Sequence, residues 1–194
     1  MRRPERGHQP DRSLRPAWPV RWPEDLPPER LRQPDPVSCG ASSVVAARVL
    51  LRPTWRPADP ATEIRAEHRS LTSTRTPRGR LQMPWPRRLG TPPWAVASAL
   101  GVLSEQRVAT VHARPRPALA FEVLVAQLDT RPTAVYVGNR WVPTHVLLAL
   151  EAPDAGLSIR LFDPWTGDIH LVEAERWRTH RLRVSGGDYF WFVV

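Results

Sequence analysis

The most informative part of the sequence is CGASSVVAARVLL, residues 39–51. Nearly every position in it is small or apolar, which is typical of a helix that is buried on most of its sides. Pro53 follows and stops the helix. The only cysteine of the chain, Cys39, stands at the first position, where free backbone N–H groups and the helix dipole favour negative charge. The stretch therefore predicts a buried helix with an activated thiol at its start. Gly40 has no side chain and is expected to leave room for a substrate next to the sulfur.

Helical patterns come first along the chain and strand patterns follow. Further helices are predicted near residues 61–68, over 91–100 and over 118–128. The helix over 91–100 is expected to be capped by Thr91 and to end at Gly101. Strands are predicted at 133–137, 145–150, 157–162, 168–171 and 189–194, with a helical turn at 172–178. This order predicts an α+β fold in which N-terminal helices pack on a C-terminal antiparallel sheet.

The strand over 145–150, HVLLAL, has an unbroken apolar run that predicts burial on both faces of the sheet. The sequence Pro-Asp-Ala-Gly at 153–156 is a turn signal that joins it to the strand over 157–162. Pairing about this turn places His145 opposite residue 163 or 164. The hairpin thus predicts that His145 and Asp163 meet at one end of the sheet.

A cysteine nucleophile needs a base, and the base needs a partner that orients it. Of the six histidines, only His145 opens a strongly apolar strand, where a ring is held in place and partly removed from water. Such a histidine can also be a plain core residue, and an Asp-Pro pair such as that at Asp163 is also a common turn. Gln33 lies six residues before Cys39, and its side-chain amide could join the backbone N–H of Cys39 as a donor to an oxyanion.

Together these residues resemble the papain-like cysteine proteases. The group that matches best is the bacterial leader peptidases that trim double-glycine leaders from bacteriocin precursors, with their stand-alone relatives. The matching pieces are Gln33, the helix opening Ser38-Cys39-Gly40-Ala41-Ser42, the strand from His145, and Asp163-Pro-Trp-Thr-Gly. The resemblance covers about residues 33 to 194 and implies a papain-like fold with a Cys39–His145–Asp163 triad. Ser38 stands where transporter-attached members carry an aspartate.

Residues 1–32 hold many prolines and arginines and predict an extended arm ahead of a catalytic domain over residues 33–194. Trp18 and Trp22 are expected to fix the arm to the domain surface. A proline-rich strand loses little entropy on binding, and the arm ends beside Gln33. We therefore expect that the arm could cover the substrate cleft.

Composition narrows the class of protein. Apolar residues make up 41% of the 194 residues, as in globular proteins. No run approaches the ~20 apolar residues of a membrane span, and no apolar signal core follows the charged start. We expect no membrane association, and a location in the cytoplasm or export without a cleaved signal peptide. A single cysteine excludes an intrachain disulfide and a zinc site built on cysteines, and neither a metal nor another cofactor is predicted.

The net charge of +9 comes from 28 arginines, and the chain has no lysine. The arginines are spread along the chain among carboxylates, without a basic run of five, which argues against nucleic acid as the main partner. Nucleotide bias explains the missing lysine, and so does entry into a foreign cell where lysine would accept ubiquitin. In that second case a secretion apparatus or an immunity protein would be a partner.

Three functions stay open. The first is a cysteine peptidase that cleaves a peptide or protein after small residues through a thioester. The second is a deamidase, transglutaminase or amidase that performs acyl transfer on a protein side chain, as a delivered toxin would. The third is a non-catalytic peptide-binding module on a decayed peptidase fold. The complete set Gln33, Cys39, His145 and Asp163 favours the two enzymes over the third.

Overall fold

A computed structural model describes residues 22–76 and 79–194 of the chain. Within these residues the helices are α1 Cys39–Leu51, α2 Pro60–Leu71, α3 Pro93–Ser104, α4 Pro117–Leu128 and α5 Ala174–Arg178. The strands are β1 Val111–His112, β2 Thr133–Gly138, β3 Pro143–Glu151, β4 Ser158–Phe162, β5 Ile169–Glu173 and β6 Tyr189–Val193. The described part contains no helix that is both long and apolar enough to cross a membrane.

The six strands form one antiparallel sheet in the order β1-β6-β2-β3-β4-β5. Three helices precede every strand, and the sheet is built mainly from the last third of the chain. The predicted α+β class is therefore confirmed. β3 lies near the middle of the sheet, between β2 and β4. Its first residues pair with β2 alone, because the pairing with β4 begins at Leu148.

The sheet separates two hydrophobic clusters. On one face, α1, α2 and α3 pack against alternate residues of β3, which include Val146 and Leu148. On the other face, α4 and α5 pack against the residues between them, which include Leu147 and Ala149. The predicted burial of this strand on both faces is confirmed, because side chains alternate across a sheet and both faces are covered here.

Helix α1 is as buried as its composition predicts. Eleven of the residues of α1 are buried, and they run from Cys39 to Leu50 with exposure only at a few positions. The charged residue of α1, Arg48, extends toward α2, where it pairs with Glu63 at 2.6 Å and with Glu67 at 2.5 Å. Burial raises the pKa of the Glu67 carboxyl, and Arg48 opposes that rise. The central helix is thus tied to α2 by both packing and charge.

Several element boundaries differ from the predictions. Helix α3 continues past Gly101 to Ser104 and ends at Glu105, which adopts the left-handed conformation. Thr91 makes no cap, because Pro92 occupies the N-cap position. The short strand β1 was not predicted; two residues are too few to give an alternating pattern, and only pairing with β6 makes them a strand.

The predicted register of the β3–β4 hairpin was wrong. Leu148 faces Phe162 and Ala149 faces Leu161, after which the register shifts before Glu151. Continued to the strand start, this register would put His145 opposite residue 165 and not 163 or 164. The connection contains a short 3-10 turn at Asp154–Gly156, which displaces the pairing from a simple hairpin.

Residues 22–32, which the sequence assigned to the arm, pack against the core. Leu26 and Leu31 are buried in the core, and the Trp22 ring lies 5.1 Å from that of Phe162. Residues 28–31 form a 3-10 turn. The compact unit therefore includes residues from Trp22 onward, whereas Trp18 and the rest of residues 1–21 lie outside the described residues.

Candidate active site

Cys39 is the first residue of α1, and its exposed fraction is only 6%. The N-cap residue, Ser38, makes no side-chain cap; its hydroxyl is 3.3 Å from the carbonyl oxygen of Asp35 instead. The backbone N–H groups of the first turn are thus not taken by a capping side chain. They form the positive end of the α1 dipole, and the sulfur of Cys39 lies at this end of the helix.

His145 and Asp163 are joined directly. The Nε2 atom of His145 lies 2.8 Å from Oδ1 of Asp163, and the two side chains are 7% and 1% exposed. Cys39 lies near enough to His145 to contribute to the rise in the pKa of the imidazole, and both residues line the same cavity. Since Nε2 is taken by the carboxylate, Nδ1 is the ring nitrogen left to exchange a proton with Cys39. The structure therefore brings the predicted cysteine, histidine and aspartate together.

Asp163 reaches His145 although the register is shifted, because it has already left the strand. It begins a tight turn in which the N–H of Gly167 donates to its carbonyl at 2.8 Å. The N–H of Trp165 donates to the same Oδ1 that faces His145, also at 2.8 Å. The turn therefore points the carboxylate back along the sheet toward the start of β3.

The other carboxylate oxygen of Asp163 is also occupied. The Ser185 hydroxyl donates to Oδ2, and Nε2 of His170 lies 3.9 Å from the same atom. Burial raises the pKa of Asp163, but the hydrogen bonds from His145 and Ser185 outweigh it and leave that pKa below its usual value. Asp163 is thus a buried carboxylate that stays ionised and cannot rotate freely.

The pKa of His145 moves in the opposite direction. Burial lowers it, yet the hydrogen bonds and charges of Asp163 and Cys39 raise it to about 9. A neighbouring imidazolium favours the thiolate form of a cysteine. The arrangement can therefore hold a proton on His145 beside the sulfur and deliver it to a leaving group.

A cavity of about 770 Å³ opens beside Cys39 and His145, and both residues line it. Its other walls come from the segment around residues 85–94, from the start of β3 and from β6. Tyr136 forms part of the floor; its hydroxyl donates to the carbonyl of Thr91 at 2.8 Å. Burial raises the pKa of this phenol well above its usual value. Cys39 and His145 therefore border a cleft whose volume is in the range found for ligand-binding sites.

Gly40 has a packing role that differs from the predicted one. A Cβ atom at this position would lie 1.8 Å from Oγ1 of Thr91 and 3.0 Å from its Cβ. The glycine lets α1 approach the segment that leads into α3. The close approach sets where Cys39 stands relative to the cavity wall, whereas the sequence suggested only room for a substrate.

Gln33 lies next to the triad residues but makes a different contact from the one predicted. Its backbone N–H donates to the carbonyl of Pro164 at 2.8 Å, and its side-chain amide donates to the carbonyl of Asp35 at 2.7 Å. It is not among the described residues that line the cavity. Its side chain braces the turn that leads into α1. The role of oxyanion donor therefore stays a prediction.

Sequence reasoning missed Ser185, His170 and the aromatic cavity wall. Ser185 lies 22 residues after Asp163 in a tight turn and has a positive φ of 45°. A lone Ser-Gly-Gly sequence indicates a turn and nothing of what its hydroxyl will meet. Trp85 lies in a segment with no regular pattern, and Trp94 lies in the helix that follows it. The sequence does not show which surface either side chain covers, because this depends on the tertiary structure.

No group of three or more His, Cys, Asp or Glu side chains suited to hold a metal ion occurs among the described residues. The chain was also compared with protein families, curated proteins and solved structures. None of the family models, curated proteins or solved structures matches it.

Proposed function

We propose that the protein is a cysteine peptidase of papain-like fold, with Cys39 as nucleophile, His145 as acid and base, and Asp163 as the residue that orients His145. The observation that carries the proposal is the hydrogen bond of 2.8 Å between His145 and the buried Asp163 carboxylate, with Cys39 and His145 side by side in the lining of one cleft. The order of these residues and their resemblance to the leader peptidases support the same assignment.

The first half of the reaction forms an acyl-enzyme. The sulfur of Cys39 attacks the carbonyl carbon of a peptide bond, so that a C–S bond forms and negative charge moves to the oxygen. The N–H of Cys39 lies at the first position of α1, without a partner in the helix ladder, and can donate to this oxygen. When the C–N bond breaks, His145 gives its proton to the leaving amine.

The second half releases the acid. A water molecule attacks the thioester while neutral His145 accepts one of its protons, and the C–S bond breaks to give a carboxylic acid and the thiolate. Asp163 keeps the ring oriented and stabilises the imidazolium in both halves. For Gln33 to be the second oxyanion donor, its side-chain amide would have to leave the carbonyl of Asp35 and turn into the cleft.

The test is the hydrolysis of fluorogenic peptide amides by the full chain and by single variants. Cys39→Ala and His145→Ala should lower kcat to the same depth because the two act as one unit. Asp163→Asn should cost less, since Asp163 makes no bond to substrate. Asp154→Asn, in an exposed turn, is the matched control and should keep full activity. Full activity in Cys39→Ala would end the enzyme proposal.

The product identifies the acceptor of the acyl group. If hydroxylamine or a primary amine receives the acyl group while water does not, the protein is an acyl-transfer enzyme and not a peptidase. Labelling by iodoacetamide gives an independent check of the sulfur. At neutral pH the intact protein should be labelled at Cys39, and His145→Ala should slow the labelling at least about tenfold, because an imidazolium no longer supports the thiolate.

A further inference from the structure

We infer that the cleft selects peptides with a bulky, uncharged apolar side chain next to the scissile bond. The inference rests on the proposed function and deepens it by naming a substrate class. It also departs from the cleavage after small residues that the sequence suggested, because large apolar side chains line the cleft that contains Cys39 and His145.

The walls of the cleft are largely aromatic and aliphatic. Trp85 and Trp94 meet edge to face with their ring centroids 5.2 Å apart. Leu89 adds an aliphatic surface, while Val142, in the loop before β3, and Phe192 of β6 also line the cleft. Such perpendicular rings offer both a face and an edge to a third apolar group, which is the geometry that aromatic side chains prefer.

Several of these wall residues remain accessible to solvent although they are apolar. Leu89 is 62% exposed, Val142 is 51% exposed and Trp94 is 37% exposed. Apolar surface that stays in water costs free energy, which an apolar group of a ligand recovers when it covers that surface. Because the same cleft contains Cys39 and His145, the covering group would belong to the substrate whose carbonyl the sulfur attacks.

The charge of the walls limits what can fill the cleft. No aspartate or glutamate is among the described residues that line it, whereas Arg88 is, together with His145. A cationic side chain that entered would find no carboxylate and would face positive charge in a largely apolar space. The cleft therefore favours leucine-like or phenylalanine-like side chains and rejects lysine and arginine.

The experiment compares kcat/KM for four otherwise identical peptide amides that carry Gly, Phe, Leu or Lys next to the scissile bond, on either side. We expect Phe or Leu to exceed Gly on the order of 100-fold, since each apolar group that fills a pocket is worth ten-fold or more. We expect Lys to be cleaved no better than Gly. Equal rates, or a preference for Gly, would overturn the inference.

Paired variants locate the selecting surface. Leu89→Asp should remove most of the preference for Phe, whereas Leu157→Asp, at a leucine that is 71% exposed outside the cleft, should leave it unchanged. Arg88→Glu should raise kcat/KM for the Lys peptide at least about tenfold relative to wild type. Arg87→Glu, in the same turn but outside the cleft lining, should have no such effect. Identical effects of both members of a pair would contradict the assignment.

A binding measurement distinguishes a failure of this inference from a failure of the peptidase proposal. The Phe and Gly peptides are titrated against Cys39→Ala, with tryptophan fluorescence as the signal. Tight binding of the Phe peptide alone, without cleavage of any peptide by the wild type, would overturn the peptidase and keep the apolar occupant. Cleavage by the wild type without any difference between Phe and Gly would keep the peptidase and overturn the selection.

Discussion

Gly40 offers the sharpest test of how the site is assembled. In the structure a Cβ atom here would stand 1.8 Å from Oγ1 of Thr91, 3.0 Å from its Cβ and 3.5 Å from Cγ2 of Val146. Contacts below 3 Å cannot persist, so Gly40→Ala requires that the Thr91 side chain, or the segment before α3 that carries it, moves away from α1. Overpacking of this kind costs about 1–3 kcal/mol.

The clash has a defined remedy, because most of it comes from one hydroxyl. Oγ1 of Thr91 is buried and has no hydrogen-bond partner among the described residues. Thr91→Ala therefore removes an unsatisfied polar atom and should be nearly neutral on its own. In the double variant the new methyl group loses its 1.8 Å contact and retains the 3.0 Å contact with the Thr91 Cβ. It should recover about half or more of the 1–3 kcal/mol lost by Gly40→Ala.

Urea unfolding of the four proteins, followed by tryptophan fluorescence, measures the free energy of unfolding and the coupling between the two sites. The iodoacetamide labelling rate of Cys39 gives a second signal, since Gly40→Ala should displace the sulfur from His145. A Gly40→Ala protein as stable as the wild type would refute the close approach. A destabilised Gly40→Ala protein that Thr91→Ala does not rescue would show that Thr91 is not the obstacle.

Further predictions concern the His145–Asp163 pair. The pKa of His145 is raised to about 9 and that of Asp163 is lowered, so the stability due to His145 is fully present below about pH 6.5 and is lost as the pH rises through about 9. The stability due to Asp163 is lost as the pH falls below the range of an ordinary carboxyl. The coupling energy from the cycle His145→Gln with Asp163→Asn should therefore be largest near pH 5–6, and one that grows toward pH 10 would contradict the ion pair. Ser185→Ala removes a charge-assisted bond to the buried carboxylate and should cost about 1.5–3 kcal/mol in the free energy of unfolding at neutral pH. It should also move the basic limb of the kcat/KM profile to higher pH, because a carboxylate that has lost one donor attracts the His145 imidazolium more strongly. Ser185→Thr should restore the wild-type profile; an unchanged profile would leave Ser185 a purely structural role.

Much of the site follows from local patterns. Cys39 is marked by a buried helix that begins at it, and His145 and Asp163 are marked by the ends of two neighbouring apolar strands. These signals predict contact even when the register is wrong, as it was here. Asp163 sits in a turn beyond β4, and a turn residue can reach His145 from more than one register.

Local patterns were enough to predict the α+β order, the burial of α1 and the three site residues, because hydrophobic periodicity is a local property. The groups around these residues could not be predicted in this way. Ser185 comes from a turn before β6, Thr91 from the segment before α3, and Trp85 from a stretch without regular pattern. These residues meet only because β6 inserts beside β2 and because Gly40 lets α1 approach Thr91. Such contacts depend on the packing of distant segments, and no periodicity in the sequence encodes them.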